Sequence, residues 1–305
     1  MKIPAATKHL LCTAAMSLLP CSVVLAQGAP EVPATPAVNT QAAGSKSSME
    51  RALSEENNWY FSWGYSRQQY QDSDIHVSQP GLGNDFTVHG VKGSDFPTST
   101  SDTLKSLTEL DLTNPQENIR IGKFMNPEKT FAIEFSLDHS KYNIDHNQNV
   151  PVTGTIANAP APATLATPGQ FDYALHNGLN HLMVNAVWFK HLAGPEQKPG
   201  DLQLVSRVGA GILLPHAENT ILGNSVQVGP KNDNICCFNK GDWWQVNGWT
   251  AGAEVGLRYT IYKTIYLELT SKWAYGQLRG VPVYQGSADQ TLIMTEQVLS
   301  TGFLF

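Results

Sequence analysis

Histidines and carboxylates that stand close in sequence are the residues of this 305-residue chain best suited to chemistry. Asp74 precedes His76 by two positions, Asp85 precedes His89 by four, and Asp138 is followed at once by His139 and Ser140. An imidazole held beside a carboxylate makes a divalent-metal site or a general base. In an extended DIHV stretch Asp74 and His76 share a face, and a facing strand DFTVHGV brings His89 alongside. Asp74, His76 and His89 are therefore the candidate ligands of a divalent metal, the one cofactor the sequence leaves open. Asp138 and His139 are the candidate catalytic pair, with no residue marked as a nucleophile. Successive strand residues point to opposite faces, so His139 cannot present Ser140 without a bulge. The plainer reading of the same histidines is that they are solvated loop residues.

What must position these groups is a series of alternating segments. A period of two runs through 57–70, 117–125, 130–141, 179–192, 200–214, 243–261, 264–279 and 291–305. A tilted strand needs roughly 9 to 11 residues to cross a bilayer, and each segment has about that or more. The connections MNPEK, AGPEQKPG and Tyr262-Lys263 are short, whereas 71–116, 142–178, 215–242 and 280–290 are long and polar. Outer-membrane barrels have short periplasmic turns and long external loops, in strict alternation. The pattern predicts an all-β fold over 57–305, a transmembrane antiparallel up-and-down β-barrel of eight strands with a large first external loop at 71–116. Counting DFTVHGV and SLTELDL as further strands gives ten and keeps the parity, the form a small pore would take. His76, His89, His139, His146, His176, His181 and His216 then fall in or beside external loops, and His191 at the opposite end.

Parity also assigns the faces. With Phe131, Ile133, Phe135 and Leu137 outward, Glu134 and Asp138 point in, and the same logic turns Arg120, Arg207, Glu254, Arg258, Glu268, Lys272 and Glu296 inward. Buried charges persist only when paired, so Arg120, Glu134, Arg207, Glu254, Arg258, Glu268, Lys272 and Glu296 are expected to form an interior charge network. A small barrel's lumen is just wide enough for side chains to fill, which argues against a pore; the alternative is that some of these are rim charges. The outward register carries Ile265, Leu267, Leu269, Val255, Leu257 and Ile261, the reverse of a soluble lipocalin-like barrel. Trp59, Tyr60, Trp188, Tyr262, Tyr266 and Phe305 are expected in one interfacial girdle, and Trp243, Trp244, Trp273 and Tyr275 in the other.

At the amino end, Lys2 and Lys8 precede an apolar run that closes on Val24, Leu25 and Ala26, the pattern of an export signal. Residues 1–26 read as a cleaved signal peptide; Pro20 beside Cys21 disfavours a lipoprotein. Residues 27–56, rich in Ala, Pro, Gly and Ser, read as a flexible periplasmic leader. Losing Lys2 and Lys8 takes the formal charge from −6 to about −8, which argues against nucleic acid as a partner. Cleavage leaves Cys236 and Cys237, for which a disulfide in an oxidising compartment and a simple loop-capping role both stay open.

The signal sequence, the alternating strands and the carboxy-terminal LSTGFLF resemble small eight-stranded β-barrels of Gram-negative outer membranes, where such a Phe ending resembles the signal read by the barrel-assembly machinery. The stretch SDIHVSQPGLGNDFTVHGVKGSD resembles a loop of outer-membrane proteins without an assigned role. The resemblance implies the cell outer membrane as location, with membrane lipid, lipopolysaccharide and the assembly machinery as partners. It implies a structural or surface-interaction role through the external loops. A lipid A or lipopolysaccharide-modifying enzyme with a His/Asp site at the external rim is the second reading, although in Asp138-His139-Ser140 the His and Ser are adjacent rather than two apart as in the deacylase type. A small pore is the third.

Overall fold

The computed structural model describes residues 57–95, 116–227, 236–238 and 242–305. The expected signal peptide, the leader and the SLTELDL stretch lie outside them. Eight strands form a ring: β1 (Trp59–Tyr70), β2 (Glu117–Phe124), β3 (Phe131–Ile144), β4 (Phe171–Ala193), β5 (Leu202–Pro215), β6 (Gly248–Tyr262), β7 (Ile265–Val283) and β8 (Gly286–Leu304). Each pairs antiparallel with the next. β8 then returns to β1, from Tyr60 opposite Leu304 to Tyr70 opposite Met294. Closure leaves no strand edge in the ring, as a sheet in hydrocarbon requires. The chain is a transmembrane antiparallel β-barrel of eight strands, and DFTVHGV is not a ninth.

Over its described residues, the expected first loop is instead mostly sheet. After a slip at Gln71-Asp72, β1 continues along β8 as Ser73–Gln79, with Ile75 opposite Gln290 and Ser78 opposite Ser287. Pro80–Leu82 makes one 3-10 turn, and Gly83, at φ 67°, turns the chain back. Asn84–Val91 then runs down beside Ser73–Gln79, and Asn149–Ile156, continuing the line of β3, adds a further strand against Asn84–Val91. Gly93–Ser94 sits between β1 and β3, in the line of β2. The segment 280–290 is likewise no loop: Val281 pairs with Ala288 and Val283 with Gly286, so β7 and β8 form one tall hairpin. One side of the barrel is thus drawn up, above the end with the long connections, into a wall of sheet. The wall holds because its inner residues are apolar: Ile75, Val77, Phe86, Val88, Val281 and Leu292 pack with Tyr142, Tyr173 and Leu213 in one buried cluster.

Below the wall the chemistry of the two faces is reversed. Leu257, Leu269 and Leu299 sit side by side on β6, β7 and β8, all pointing out and exposed. Trp59, Trp188, Tyr262 and Phe305 lie outward near the short-turn end, and Trp273 and Tyr275 outward toward the other. Tyr60 and Tyr266 correct the girdle expectation, because both are buried inside. They share the parity of Ser62 and Glu268, and with Phe189 they surround the Arg258 guanidinium at 4.9, 3.8 and 4.5 Å from the ring centres. Trp243 and Trp244 also leave the girdle: Trp243 stacks on His216, and Trp244 donates its indole N–H to the Asn177 carbonyl.

Candidate functional site

Inside the barrel, between the aromatic floor around Arg258 and the apolar cluster under the wall, lies a layer of buried charge. Arg120 Nη1 donates to both oxygens of Glu254 at 3.0 and 2.9 Å. Arg207 spans three acids, with Nε 3.1 Å from Glu134, Nη1 3.1 Å from Glu254 and Nη2 2.7 Å from Glu268. Arg258 Nε donates to Glu268 at 2.8 Å. Lys272 donates to Asp138 and stands 3.5 Å from Glu296. Counting Asp138, these acids outnumber the bases by one, and neutral donors supply further hydrogen bonds. Tyr60 and Asn185 donate to Glu134 at 2.8 and 3.0 Å, while Gln68 and Asn118 donate to Glu296 at 2.9 and 3.1 Å. The charges of this layer are buried and paired with one another.

The sequence's catalytic pair is not brought together. Asp138 is buried in this layer, whereas His139 stands on the opposite face of β3, its Nδ1 2.6 Å from Asn180 Oδ1. His181, expected at a strand end beside a loop, is on β4 and buried inside, with Nδ1 3.0 Å from Thr250 Oγ1. Cys236 is disulfide-bonded and belongs to a short parallel pairing with Trp244–Gln245.

The external candidates converge on the outer face of the wall. Two β-bulges shape that face by the same device. At the first, the register between Ser73–Gln79 and Asn84–Val91 slips opposite Asp74, and Gly90 takes φ 61°, a left-handed conformation natural to glycine. Gly90 N–H then donates to Asp74 Oδ1 at 2.8 Å, and His89 Nδ1 lies 2.9 Å from Asp74 Oδ2. At the second, between Leu278 and Val281, Gly280 takes φ 64°, donates to Asp289 Oδ1 at 2.8 Å, and places Arg279 Nη1 2.8 Å from Asp289 Oδ2. Each bulge clamps a carboxylate between a glycine amide and the cationic or imidazole side chain before it. His76, opposite Asp289 in the register, turns its Nε2 to Asp85 at 2.7 Å. Asp74, His76, Thr87, Arg279, Asp289 and Thr291 line a groove of about 210 Å³ between the bulges.

The trio of expected metal ligands is thus split into two His–Asp pairs. Among the described residues no three His, Cys, Asp or Glu side chains converge as a metal site. The residue sequence reasoning missed is Thr153, whose Oγ1 lies 2.8 Å from His89 Nε2 across 64 residues of chain. Its only sequence signal is the alternation in NVPVTGTI, which the expected loop at 142–178 conceals.

No protein-family model matches the chain, and no curated protein matches it in sequence. The chain does match solved structures. One is the attachment invasion locus protein Ail of Yersinia pestis, at 12% identity over 82% of this chain and 100% of that one, with a TM-score of 0.35. OprG from Pseudomonas aeruginosa matches at 10% identity over 82% and 99%, TM-score 0.37. The outer membrane protease OmpT from Escherichia coli matches at 7% identity over 81% and 97%, TM-score 0.37. The likeness is one of fold alone. Eightfold closure rests on this chain's own strand pairing.

The bulge clamps carry a pH dependence. Partial burial opposes ionisation of Asp74, but the Gly90 amide and His89 outweigh it and hold the carboxyl below its ordinary value. Asp289 is lowered likewise, with the Gly280 amide and Arg279 outweighing its burial. A carboxyl depressed in the folded state stabilises it fully above the unfolded value and loses that contribution as pH falls through the folded value. The Gly90 and Gly280 amides are therefore expected to keep their hydrogen-exchange protection down to about pH 4 and to lose it below. Loss of protection already near neutrality would contradict the clamp.

Proposed function

We propose that the protein is an outer-membrane barrel with a filled lumen that holds the wall above the membrane as a surface-interaction platform. The observation that carries the reading is the reversal of faces along single strands. On β7 the outward residues run from Ile265, Leu267 and Leu269 past Ser271 to Trp273 and Tyr275 and then to Gln277 and Arg279, so a mainly apolar outer face gives way to a polar one where the wall begins. Such a border fits hydrocarbon below and water above. The short-turn end, where Trp59 and Phe305 exchange backbone hydrogen bonds, then faces the periplasm. The packed lumen supports a scaffold over a channel.

Two measurements test this. Reconstituted in a planar bilayer, the protein is expected to stay silent; sustained conductance steps would rule out a filled lumen. Thr155, exposed on the wall, is expected to react as Thr155→Cys with a membrane-impermeant maleimide on intact cells. Labelling only after the envelope is broken would overturn the external placement.

A further inference from the structure

We propose that Thr153, His89 and Asp74 form a nucleophilic relay on the wall's outer face that hydrolyses small neutral carboxylic esters. This goes beyond the platform reading, since an interaction surface needs no such relay. The geometry is that of an activated hydroxyl. Asp74 Oδ2 lies 2.9 Å from His89 Nδ1, and His89 Nε2 lies 2.8 Å from Thr153 Oγ1. The carboxylate accepts from Nδ1–H, which leaves Nε2 with its lone pair toward the hydroxyl, the tautomer a general base requires. The bulge fixes the first link, because Gly90 N–H occupies Asp74 Oδ1 and leaves Oδ2 for the imidazole. The pairing fixes the second: Thr87 lies opposite Thr153 and Val88 opposite Val152, which sets His89 diagonal to Thr153. Thr153 is exposed, so both an ester and the water that follows can reach it.

The step balances with water alone. Thr153 Oγ1 attacks the ester carbonyl and its proton passes to His89 Nε2. The alkoxy C–O bond then breaks and the leaving alkoxide takes that proton. Water, deprotonated by His89, attacks the acyl-threonine, releases the carboxylic acid and returns the proton to Thr153. The substrate class follows from charge. Beside the relay the groove presents Asp74 and Asp289 with Asp85 close by, against the single guanidinium of Arg279, so anionic esters are repelled.

The test uses the full barrel in detergent with a neutral fluorophosphonate and with p-nitrophenyl acetate. The expected result is one adduct on the peptide carrying Thr153, kept in Thr153→Ser and lost in Thr153→Ala. His89→Ala lowers the labelling rate about a hundredfold or more, the scale of a lost general base, and His191→Ala, at the other end of the barrel, leaves it unchanged. Asp74 acts through His89, so Asp74→Asn lowers kcat for p-nitrophenyl acetate while KM holds. An adduct equal in wild type and Thr153→Ala, or none on Thr153 in wild type and Thr153→Ser when both show the same barrel circular dichroism, overturns the proposal.

Discussion

Replacing Arg207 by alanine is expected to lower the unfolding free energy of the barrel, folded into lipid vesicles and titrated with urea, by about 3–5 kcal/mol. Among the described residues, Arg207 is the one cation that touches Glu134, Glu254 and Glu268 together. Its removal leaves three buried carboxylates to the Arg120 and Arg258 guanidiniums, which already face Glu254 and Glu268 at 2.9 and 2.8 Å. Glu134 suffers most: Tyr60 and Asn185 still donate to it, but Arg120 stands 3.7 Å away. Uncompensated charge in a low dielectric, rather than the lost ion pairs themselves, accounts for the size of the effect. Arg207→Lys should recover only part, since one ammonium cannot reach three acids from a planar fork's positions. The midpoint shift must come with an unchanged denaturant slope, the sign that stability rather than compactness has moved. A loss under about 1 kcal/mol, the value of an exposed ion pair, would mean that water reaches the layer and that the lumen is not packed.

The ring of eight strands was legible because alternation is local: each strand carries its own record of which residues face hydrocarbon. Glu254 opposite Lys272 and Arg258 opposite Glu268 in the β6–β7 register show why inward charges could be assigned strand by strand. Tyr60 and Tyr266 were misplaced by residue type, although their parity with Ser62 and Glu268 marks them as inward. The wall was illegible for a more physical reason. In the belt apolar side chains point out, whereas past Gln71-Asp72 the apolar Ile75 and Val77 point in and Asp74 and His76 point out. The period is the same but its chemical sign is inverted, so a search for outward-apolar strands ends where the membrane does. The Asp74–His89 pairing depends on a one-residue bulge, and Thr153 depends on a strand contributed from beyond β3; neither is encoded in local spacing.

Placing arginine at Leu269 is expected to cost about 2–4 kcal/mol of unfolding free energy in lipid vesicles, the range for a cation on the lipid face near the bilayer midplane. Leu269 is 60% exposed and lies between Leu257 and Leu299, with Ile265 below it on β7 and Trp273 and Tyr275 above. By exposure alone, an arginine there should be harmless, since a long side chain at an open site usually changes stability by under about 0.5 kcal/mol in water. The solvent decides the sign. Thr291→Arg, also outward but on the wall side of Ile293, should stay within that small range and serves as the matched control. The difference between the two sites measures the border between hydrocarbon and water along the outer face. Equal, near-zero effects would mean that both sites face water, and the barrel would then be a soluble one with an exposed apolar belt rather than one that spans a membrane.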